Sequence, residues 1–305
     1  MNKKTVSILI CALNEEKNIG LLIQDIQDQK FDFEFNNNFI LENITVVSDG
    51  STDKTTEIVK SFQDKDKRIN LNINKKRIGK IFSLDKMFGL INTDYIILFD
   101  ADVRLKTNTI NVLVKPILLN NYDLIGGNPI PIKPKSILNI AEQASFFSWL
   151  IHQEIKTRHP DSVYSSHGRI LLTSKYLYKN LDINGLSTPG DDAFMYLKSM
   201  HNFFYEKDAV VIYRMPNSVS DYLKQNMRFR KGKLVKSKSS FGAELIKKEF
   251  NIKNKFIIFL KLFFKYPYQS FLWMILYGFG YLKFKLQVQN STDINKIWGE
   301  VKSTK

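Results

Sequence analysis

Strand and helix signals alternate through the first hundred residues, and this alternation restricts the possible folds more than any other feature of the chain. Four short apolar runs read as strands: Val6–Ala12, Ile44–Val47, Ile69–Ile73 and Tyr95–Phe99. Between them, apolar residues recur at helical spacing, as at Ile19, Leu22 and Ile26. Because parallel strands need long crossover connections that are usually helical, the spacing predicts a mainly parallel sheet with helices on both faces.

Two carboxylates on alternate residues close the fourth of these strands. Asp100 and Asp102 point the same way in an extended segment. They lie at a strand's C-terminal edge, where open α/β sheets bind ligands. They can therefore share one divalent cation, which prefers oxygen ligands and would carry a substrate's phosphates. An acidic turn that happens to follow a strand is the alternative interpretation.

Polar residues also follow the first two strands. Asn14 and Glu15 come just after the strand that ends at Ala12, and Asp49 with Gly50 closes the second. Acids at such positions accept hydrogen bonds from a ribose or a base, and glycine allows a sharp turn near a ligand. Asn14 is also predicted to cap the helix that follows. An Asp-Gly turn with a helix cap explains the second segment equally well.

Charged residues open two of the predicted helices. Lys80 lies at a helix N-terminus, where a cation opposes the helix dipole and is better explained by a bound phosphate. Asp191 and Asp192 begin a later helix. They either complement its dipole or supply a general base, because adjacent carboxylates raise the pKa of one of them. The sequence contains no phosphate-loop or dinucleotide glycine motif, which argues against a P-loop ATPase and a nicotinamide enzyme.

A basic helix is predicted from Ser218 to about Lys236. Within it Gln225, Arg228 and Phe229 are neighbours on one face. An amide, a guanidinium and an aromatic ring on one face suit a diphosphate plus a sugar ring. A solvated basic face is the alternative.

The last third of the chain combines positive charge with apolar sequence. Between Lys224 and Lys285, fifteen Lys or Arg residues stand against two acids. Because apolar residues separate the lysines, the pattern favours an anionic membrane surface over nucleic acid. The charge-free stretch Tyr266–Leu282 has 17 residues, at the lower edge of what crosses a bilayer. Helices at the membrane interface, a true span and a soluble apolar helix pair are the alternatives.

Together these motifs resemble the family-2 glycosyltransferases with a GT-A fold, and in particular their membrane-associated branch. Asp100-Ala101-Asp102 is similar to the Asp-x-Asp metal motif of that family, and Gly190-Asp191-Asp192 stands where it has Thr-Glu-Asp. Gln225 to Phe229 resembles Gln-x-x-Arg-Trp, with phenylalanine in place of tryptophan. The resemblance covers roughly residues 6 to 232.

Two further segments carry the resemblance with one change each. Asp49-Gly50-Ser51 is similar to the family's nucleoside-binding Asp-Asp-Gly-Ser, with Ser48 in place of the first aspartate. Ile8 to Ile19 looks like its opening strand and Asn-Glu-Glu, with Cys11 where proline is usual.

The resemblance implies a Rossmann-like GT-A domain over residues 1–215, a basic interfacial segment over 216–250 and an apolar membrane-associated tail over 251–305. It implies sugar transfer with inversion from a nucleotide-diphosphate donor, a UDP-sugar before others. Asp192 would be the base, with Asp191 beside it, and Asp100 with Asp102 would hold Mg²⁺ or Mn²⁺. Phe229 would contact the acceptor. The implied donor-binding residues are Ala12, Asn14, Glu15, Asp49, Gly50, Lys80, Asp100, Gln225 and Arg228.

The implied partners are a lipid or glycan acceptor and the cytoplasmic face of a membrane, without nucleic acid. The single cysteine, Cys11, excludes an internal disulfide and suits a reducing compartment. A processive polysaccharide synthase and a non-catalytic nucleotide-sugar or lipid-binding module are the alternatives. Processive members usually thread their product through several membrane helices, whereas one or two such segments are possible in this sequence, which favours single transfers.

Overall fold

The computed structural model describes residues 3–181, 190–199, 202–237 and 255–290 of the 305. They form two compact units. One contains the residues up to Ile130 together with Ser165–Tyr213, and the other contains Pro131–Tyr164 and the described residues from Arg214 onward. The predicted three-part division at 215 and 250 stays a prediction. Positions 1–2, 182–189, 200–201, 238–254 and 291–305 lie outside the described residues.

The first unit is built on strands joined by helices and loops. Its strands are β1 (Lys4–Ala12), β2 (Phe39–Asp49), β3 (Ile69–Asn74), β4 (Tyr95–Asp100), β5 (Val103–Leu105), β6 (Leu124–Pro131), β7 (Ile170–Ser174) and β8 (Phe203–Tyr213). Its helices are α1 (Ile19–Gln27), α2 (Phe33–Asn38), α3 (Thr55–Gln63), α4 (Lys80–Leu90), α5 (Thr109–Val114), α6 (Pro116–Leu119), α8 (Lys175–Lys179) and α9 (Asp191–Lys198).

The described strands form one eight-stranded sheet in the order β3-β2-β1-β4-β7-β6-β8-β5. β1 pairs in parallel with β2 and β4, and β2 with β3. β7 runs antiparallel to β4 and β6, and β5 runs antiparallel to β8. The prediction of a mainly parallel sheet is confirmed for the first four strands and is wrong beyond β4. The later strands do not alternate with regular helices, so the crossover rule does not apply to them.

Helices cover both faces of the parallel strands. Ile8 and Ile10 of β1 are fully buried in one core with Ile19 and Leu22 of α1. Burying each such side chain contributes about 1.5–3 kcal/mol. The alternate residues of β1 face the opposite side, where α4 packs and buries Leu84. The parallel sheet is therefore held between helices, with its strand ends left for the loops that form the site.

One predicted helix cap is wrong. α1 begins at Ile19, and Asn14 lies in a loop with a left-handed φ of 54°. The side chain of Asn14 is bound elsewhere, because its Oδ1 accepts the Thr52 backbone N–H at 2.8 Å. Asparagine tolerates this backbone conformation better than most residues. Asn14 therefore joins two loops instead of starting a helix.

The second unit consists of long helices. They are α7 (Ile140–Arg158), α10 (Val219–Ser237), α11 (Lys255–Lys265) and α12 (Pro267–Asn290). Ala141 and Ala144 of α7 pack with Leu223 of α10 and Leu276 of α12. The charge-free stretch Tyr266–Leu282 therefore lies in α12 except for its first residue, and α12 begins at Pro267, where proline suits the first position of a helix.

Both C-terminal helices carry large apolar side chains on their outer surfaces. Within the described ranges, no helix combines the length and apolar character that crossing a bilayer requires. The exposed side chains on α11 and α12 include Phe256, Ile257, Phe264, Phe271, Ile275, Phe279, Leu282 and Leu286.

Candidate active site

Hydrogen bonds connect the loop that follows β1 to the loop that follows β2. β1 ends at the buried Ala12, and Glu15 then donates its backbone N–H to Thr55 Oγ1 at 2.8 Å. The Glu15 carboxylate accepts the Asn18 amide at 2.9 Å. The Thr52 backbone N–H also donates to Asn14 Oδ1. Together these hydrogen bonds connect the loop after β1 to the loop after β2.

Asp49 anchors the turn that leads into α4. Its buried carboxylate accepts the backbone N–H groups of Ile78 at 2.9 Å and Gly79 at 2.8 Å, and the Asn74 amide at 3.1 Å. Gly50 follows with a φ of 75°, and a Cβ there would lie 2.6 Å from the Arg77 backbone nitrogen. Glycine is therefore required at this close approach of two loops.

Lys80 joins two of the predicted acids. Its Nζ donates to Asp100 Oδ1 at 2.7 Å and lies 3.2 Å from Asp191 Oδ2. Burial alone would lower the pKa of Lys80, yet these two carboxylates raise it well above its ordinary value. The lysine therefore stays protonated and brings together the end of β4 and the start of α9.

Asp192 is held by backbone amides on both carboxylate oxygens. Its Oδ2 accepts the Gly168 N–H at 3.1 Å, and its Oδ1 accepts the Ala193 N–H at 2.8 Å. A Cβ on Gly168 would lie 3.3 Å from Lys80 Nζ and 3.7 Å from Asp192 Oδ2. The predicted base and the predicted donor-binding lysine are thus close neighbours.

Asp102 lies beside a cation that the sequence analysis did not identify. Burial raises the pKa of the Asp102 carboxyl, the Arg169 guanidinium opposes this rise, and Asp100 adds to it. Arg169 stacks over the Tyr213 ring at 3.8 Å, and its Nη1 lies 3.2 Å from His167 Nε2. Its Nε is buried and has no hydrogen-bond partner among the described residues.

His167, Gly168 and Arg169 reach the site because β7 runs antiparallel to β4. The start of β7 therefore lies beside the end of β4, and the Asp100 backbone N–H donates to the Arg169 carbonyl at 3.4 Å. A polar Ser-His-Gly-Arg run just before an apolar strand is the signal that sequence reasoning could have used.

Gln225, Arg228 and Phe229 belong to α10, in the second unit. They lie away from the face of α10 that carries its buried side chains, Tyr222, Leu223 and Met227. Phe229 is 61% exposed, and the Arg228 guanidinium lies 5.8 Å from the centre of its ring. The shared face that the spacing predicted is thus observed, and the functional roles of these three residues stay predictions.

The acids of the first unit fit a divalent cation. Asp100 and Asp102 offer oxygen ligands, the kind that Mg²⁺ and Mn²⁺ prefer. Four carboxylates and two cations lie near one another in this cluster, so its negative charges outnumber its positive charges. The described residues contain no group of three or more His, Cys, Asp or Glu side chains suited to a metal. Asp100 and Asp102 are the two residues that would hold such a cation.

The family follows from a match that runs through this site. A family model described as Glycosyl transferase family 2 matches residues 7–181, more than half of the chain. The chain belongs to glycosyl transferase family 2. The match includes the loops after β1, β2 and β4 and the segment that precedes β7.

Relatives of this family-2 glycosyltransferase are similar over part of their length. An uncharacterized glycosyltransferase of Haemophilus influenzae is 32% identical over 131 residues, which is 43% of this chain and 38% of that protein. A cholesterol galactosyltransferase of Borreliella burgdorferi is 25% identical over 144 residues, 45% of this chain and 38% of that protein. The matched part of the chain thus spans well under half of each relative.

Solved structures share the fold of this family-2 glycosyltransferase. The mannosyltransferase PcManGT from Pyrobaculum calidifontis, in complex with GDP-Man and Mn²⁺, has a TM-score of 0.57 at 14% identity, covering 97% of this chain and 83% of that one. S. aureus TarS 1–349 in complex with UDP has a TM-score of 0.52 at 15% identity, covering 84% and 75%. The likeness confirms the mixed α/β, GT-A type of fold.

Proposed function

We propose that this family-2 glycosyltransferase transfers a sugar, with inversion, from a nucleotide-diphosphate donor to a lipid or glycan acceptor. The observation that carries the proposal is the cluster in which Lys80 bridges Asp100 and Asp191, with Asp102 and Asp192 beside them. An acidic cluster with one bridging lysine, at the C-terminal ends of parallel strands, suits a substrate that carries phosphates.

A nucleotide sugar, with a UDP-sugar as the first candidate, is the proposed donor. Structures of the same fold hold GDP-Man and UDP, which supports a nucleotide at this edge of the sheet. Asp49 and Glu15 would hold the nucleoside, and Lys80 the diphosphate. The hydrogen bonds that brace the Asp49 and Glu15 loops favour binding because little ordering would be needed.

A divalent cation is the proposed cofactor, Mg²⁺ or Mn²⁺, held by Asp100 and Asp102. When bound, it would offset the negative charge that develops on the departing diphosphate. Support comes from the excess of carboxylates over cations in the cluster, where the Asp102 carboxyl lies near both Asp100 and Arg169.

Asp192 is the proposed general base. It would accept the proton of the acceptor hydroxyl as that oxygen bonds to the anomeric carbon and the bond from this carbon to the diphosphate breaks. A single displacement of this kind inverts the anomeric centre. The two hydrogen bonds from the backbone N–H groups of Gly168 and Ala193 support this role, because they fix the orientation of the Asp192 carboxylate.

The cytoplasmic face of a membrane is the proposed setting. Phenylalanine side chains on α11 and α12 are exposed, among them Phe264 at 76%. Exposed lysines, including Lys261 and Lys283, lie on the same helices. Apolar burial and attraction to anionic headgroups would act together on such a surface.

The test is a screen of nucleotide sugars for release of nucleoside diphosphate, with Mg²⁺, with Mn²⁺ and with a chelator. We expect one donor class to support release that needs the metal. Asp102→Asn should abolish the metal-dependent release while the far-UV circular dichroism stays unchanged, since Asp102 lies at a sheet edge. Near-normal turnover of Asp102→Asn would overturn the metal assignment, and no release from any donor would overturn the proposed reaction.

A further inference from the structure

A second cleft opens in the first unit, beside the edge strand β3 and away from the catalytic carboxylates. It has a volume of about 620 Å³, within the range of roughly 300–1,000 Å³ found for small-ligand sites. It is lined by the early residues of β1 and β2 and by the end of α4, whereas the catalytic loops follow the ends of these strands. The cleft is therefore distinct from the site of Lys80 and Asp100.

The lining is rich in neutral polar side chains. Asn43, Asn70, Asn72 and Asn92 contribute amides, and Thr45 contributes a hydroxyl. Of the described residues that line the cleft, Glu42 alone is charged. Without a lining cation, the cleft lacks the groups that bind phosphates. A single carboxylate is likewise too few for a metal site.

Several of these polar groups are available to a ligand. Asn70 donates to Asn43 Oδ1 at 3.2 Å and to the Arg68 carbonyl at 3.1 Å. The amides of Asn72 and Asn92, by contrast, make no side-chain hydrogen bond within the described part of the chain. An amide offers both donors and acceptors, and adjacent hydroxyl groups of a sugar need both.

One wall of the cleft is apolar. Met87, Leu90 and Ile91 form it at the end of α4, and Leu90 is 68% exposed. A sugar ring presents C–H groups on one face and hydroxyl groups at its edge, so it can use an apolar wall and an amide-lined floor together. A peptide strand would instead pair with the free backbone edge of β3 and make little use of these amides.

We propose that this cleft is a second carbohydrate-binding site, which takes a neutral sugar residue of a glycan. Binding here needs neither the donor nor a metal, so the proposal stands apart from the transfer reaction. In an enzyme that acts on glycans, such a site would hold the part of the chain that lies beyond the reacting sugar.

The test is saturation-transfer NMR on the full-length protein with three neutral probes: maltotriose, chitotriose and mannotriose, without donor or metal. We expect at least one of them to bind. Asn72→Ala and Asn92→Ala should each weaken that binding roughly 5- to 10-fold, the effect of one lost hydrogen bond. Asn37→Ala, an exposed asparagine on α2 outside the cleft, is the matched control and should bind as the unmodified protein does.

Two results would overturn the proposal. One is the absence of saturation transfer from all three probes. The other is binding that Asn72→Ala and Asn92→Ala leave unchanged and that Asp192→Asn removes, because the sugar would then lie at the catalytic site. Release of nucleoside diphosphate is measured in a separate assay. If the proposed transfer reaction fails there, the NMR result still decides whether the cleft binds a sugar.

Discussion

Asp191 and Asp192 are adjacent in sequence but differ in what holds them. Asp191 pairs with a lysine ammonium at 3.2 Å, whereas both oxygens of Asp192 accept backbone N–H groups. The ion pair ties the Asp191 carboxylate to Lys80, whereas the backbone N–H groups fix the orientation of the Asp192 carboxylate. The contacts therefore favour Asp192 as the residue that takes the acceptor proton.

Asp192→Asn should lower kcat by roughly 10²- to 10⁴-fold, the usual contribution of a general base. Donor binding should change little, because an amide oxygen can still accept the Gly168 or Ala193 N–H. Steady-state kinetics with the donor found in the nucleotide-sugar screen measures both quantities.

Asp191→Asn is the matched control for that variant. It weakens the contact with Lys80, so we expect it to raise the KM for the donor more than it lowers kcat. If Asp191→Asn lowers kcat further than Asp192→Asn does, the base is assigned to the wrong one of the two residues.

At the scale of elements, the close approach of the loop after β2 to the loop before α4 depends on Gly50. Gly50→Ala should lower the free energy of unfolding by about 1–3 kcal/mol, because its φ of 75° is unfavourable for alanine. The new Cβ would also meet the Arg77 backbone at 2.6 Å. Urea unfolding followed by circular dichroism measures the loss.

Gly89→Ala is the matched control in α4, where a Cβ would meet no atom within 4 Å. Alanine is the better helix former, so this change should raise the free energy of unfolding by up to about 1 kcal/mol. Equal effects from the two alanines would contradict the strain assigned to Gly50.

Lys156 makes the stability of α7 depend on pH. Burial lowers the pKa of Lys156 to about 8, whereas an unfolded chain has a lysine pKa of about 10.4. Between these values the unfolded state binds more protons, so the contribution of Lys156 to the free energy of unfolding rises with pH. Below about pH 8 both states are protonated, and the cost of burying the charge is constant.

Lys156→Met should therefore be more stable than the unmodified protein at pH 7.5, by up to about 3 kcal/mol, and the difference should narrow by pH 10. Urea unfolding across this range measures it, with Lys60→Met, an exposed lysine on α3, as the control. If the difference in free energy of unfolding between Lys156→Met and the unmodified protein stays constant with pH, the lowered pKa assigned to Lys156 is wrong.

The parallel strands could be predicted because their signal is local. Each apolar run and the helical pattern after it can be recognised within about 30 residues of sequence. A strand, a helix and a further strand in that order then predict a parallel pair, because parallel strands need a long crossover connection. The direction of β7 could not be predicted, because antiparallel pairing with β4 joins residues some 75 positions apart. Arg169 was missed for the same reason, since its place beside Asp102 depends on that direction. Asn14 was mistaken for a helix cap because its partner, Thr52, is on another loop.

The convergence of motif residues was predictable in part. Acids at the C-terminal ends of parallel strands lie at one edge of the sheet, and this rule predicts a ligand site at Asp100. Nothing in the local pattern indicated that Lys80 would pair with Asp191, because that contact depends on how α9 packs. The hydrogen bonds that occupy the Asp49 carboxylate were likewise not foreseen.

At the scale of the whole molecule, the proposed membrane setting rests on the exposed apolar side chains of α11 and α12. We expect the full-length protein to float with vesicles that contain anionic lipid and to resist a high-salt wash. Salt screens the lysines but leaves apolar burial intact. If the protein stays in the dense fraction with such vesicles, the membrane setting and the preference for a lipid acceptor both fail.

Replacing Phe264 and Phe271 by serine should reduce flotation at least tenfold, because burying each ring contributes about 1.5–3 kcal/mol. The control is Phe33→Ser, which removes a ring of the first unit that is more exposed, at 84%, than either Phe264 or Phe271. An equal loss in the control would show that the effect is not specific to α11 and α12.

The antiparallel course of β7 also affects how this enzyme could diversify. The loops proposed to hold the donor come from the first hundred residues, whereas His167, Gly168 and Arg169 arrive from a strand much later in the chain. Substitutions in that later stretch can accumulate without touching the loops after β1 and β2. Evolution, or an engineer exchanging short segments between homologues, can thus vary the residues next to the proposed base Asp192 while the loops after β1 and β2 are inherited unchanged.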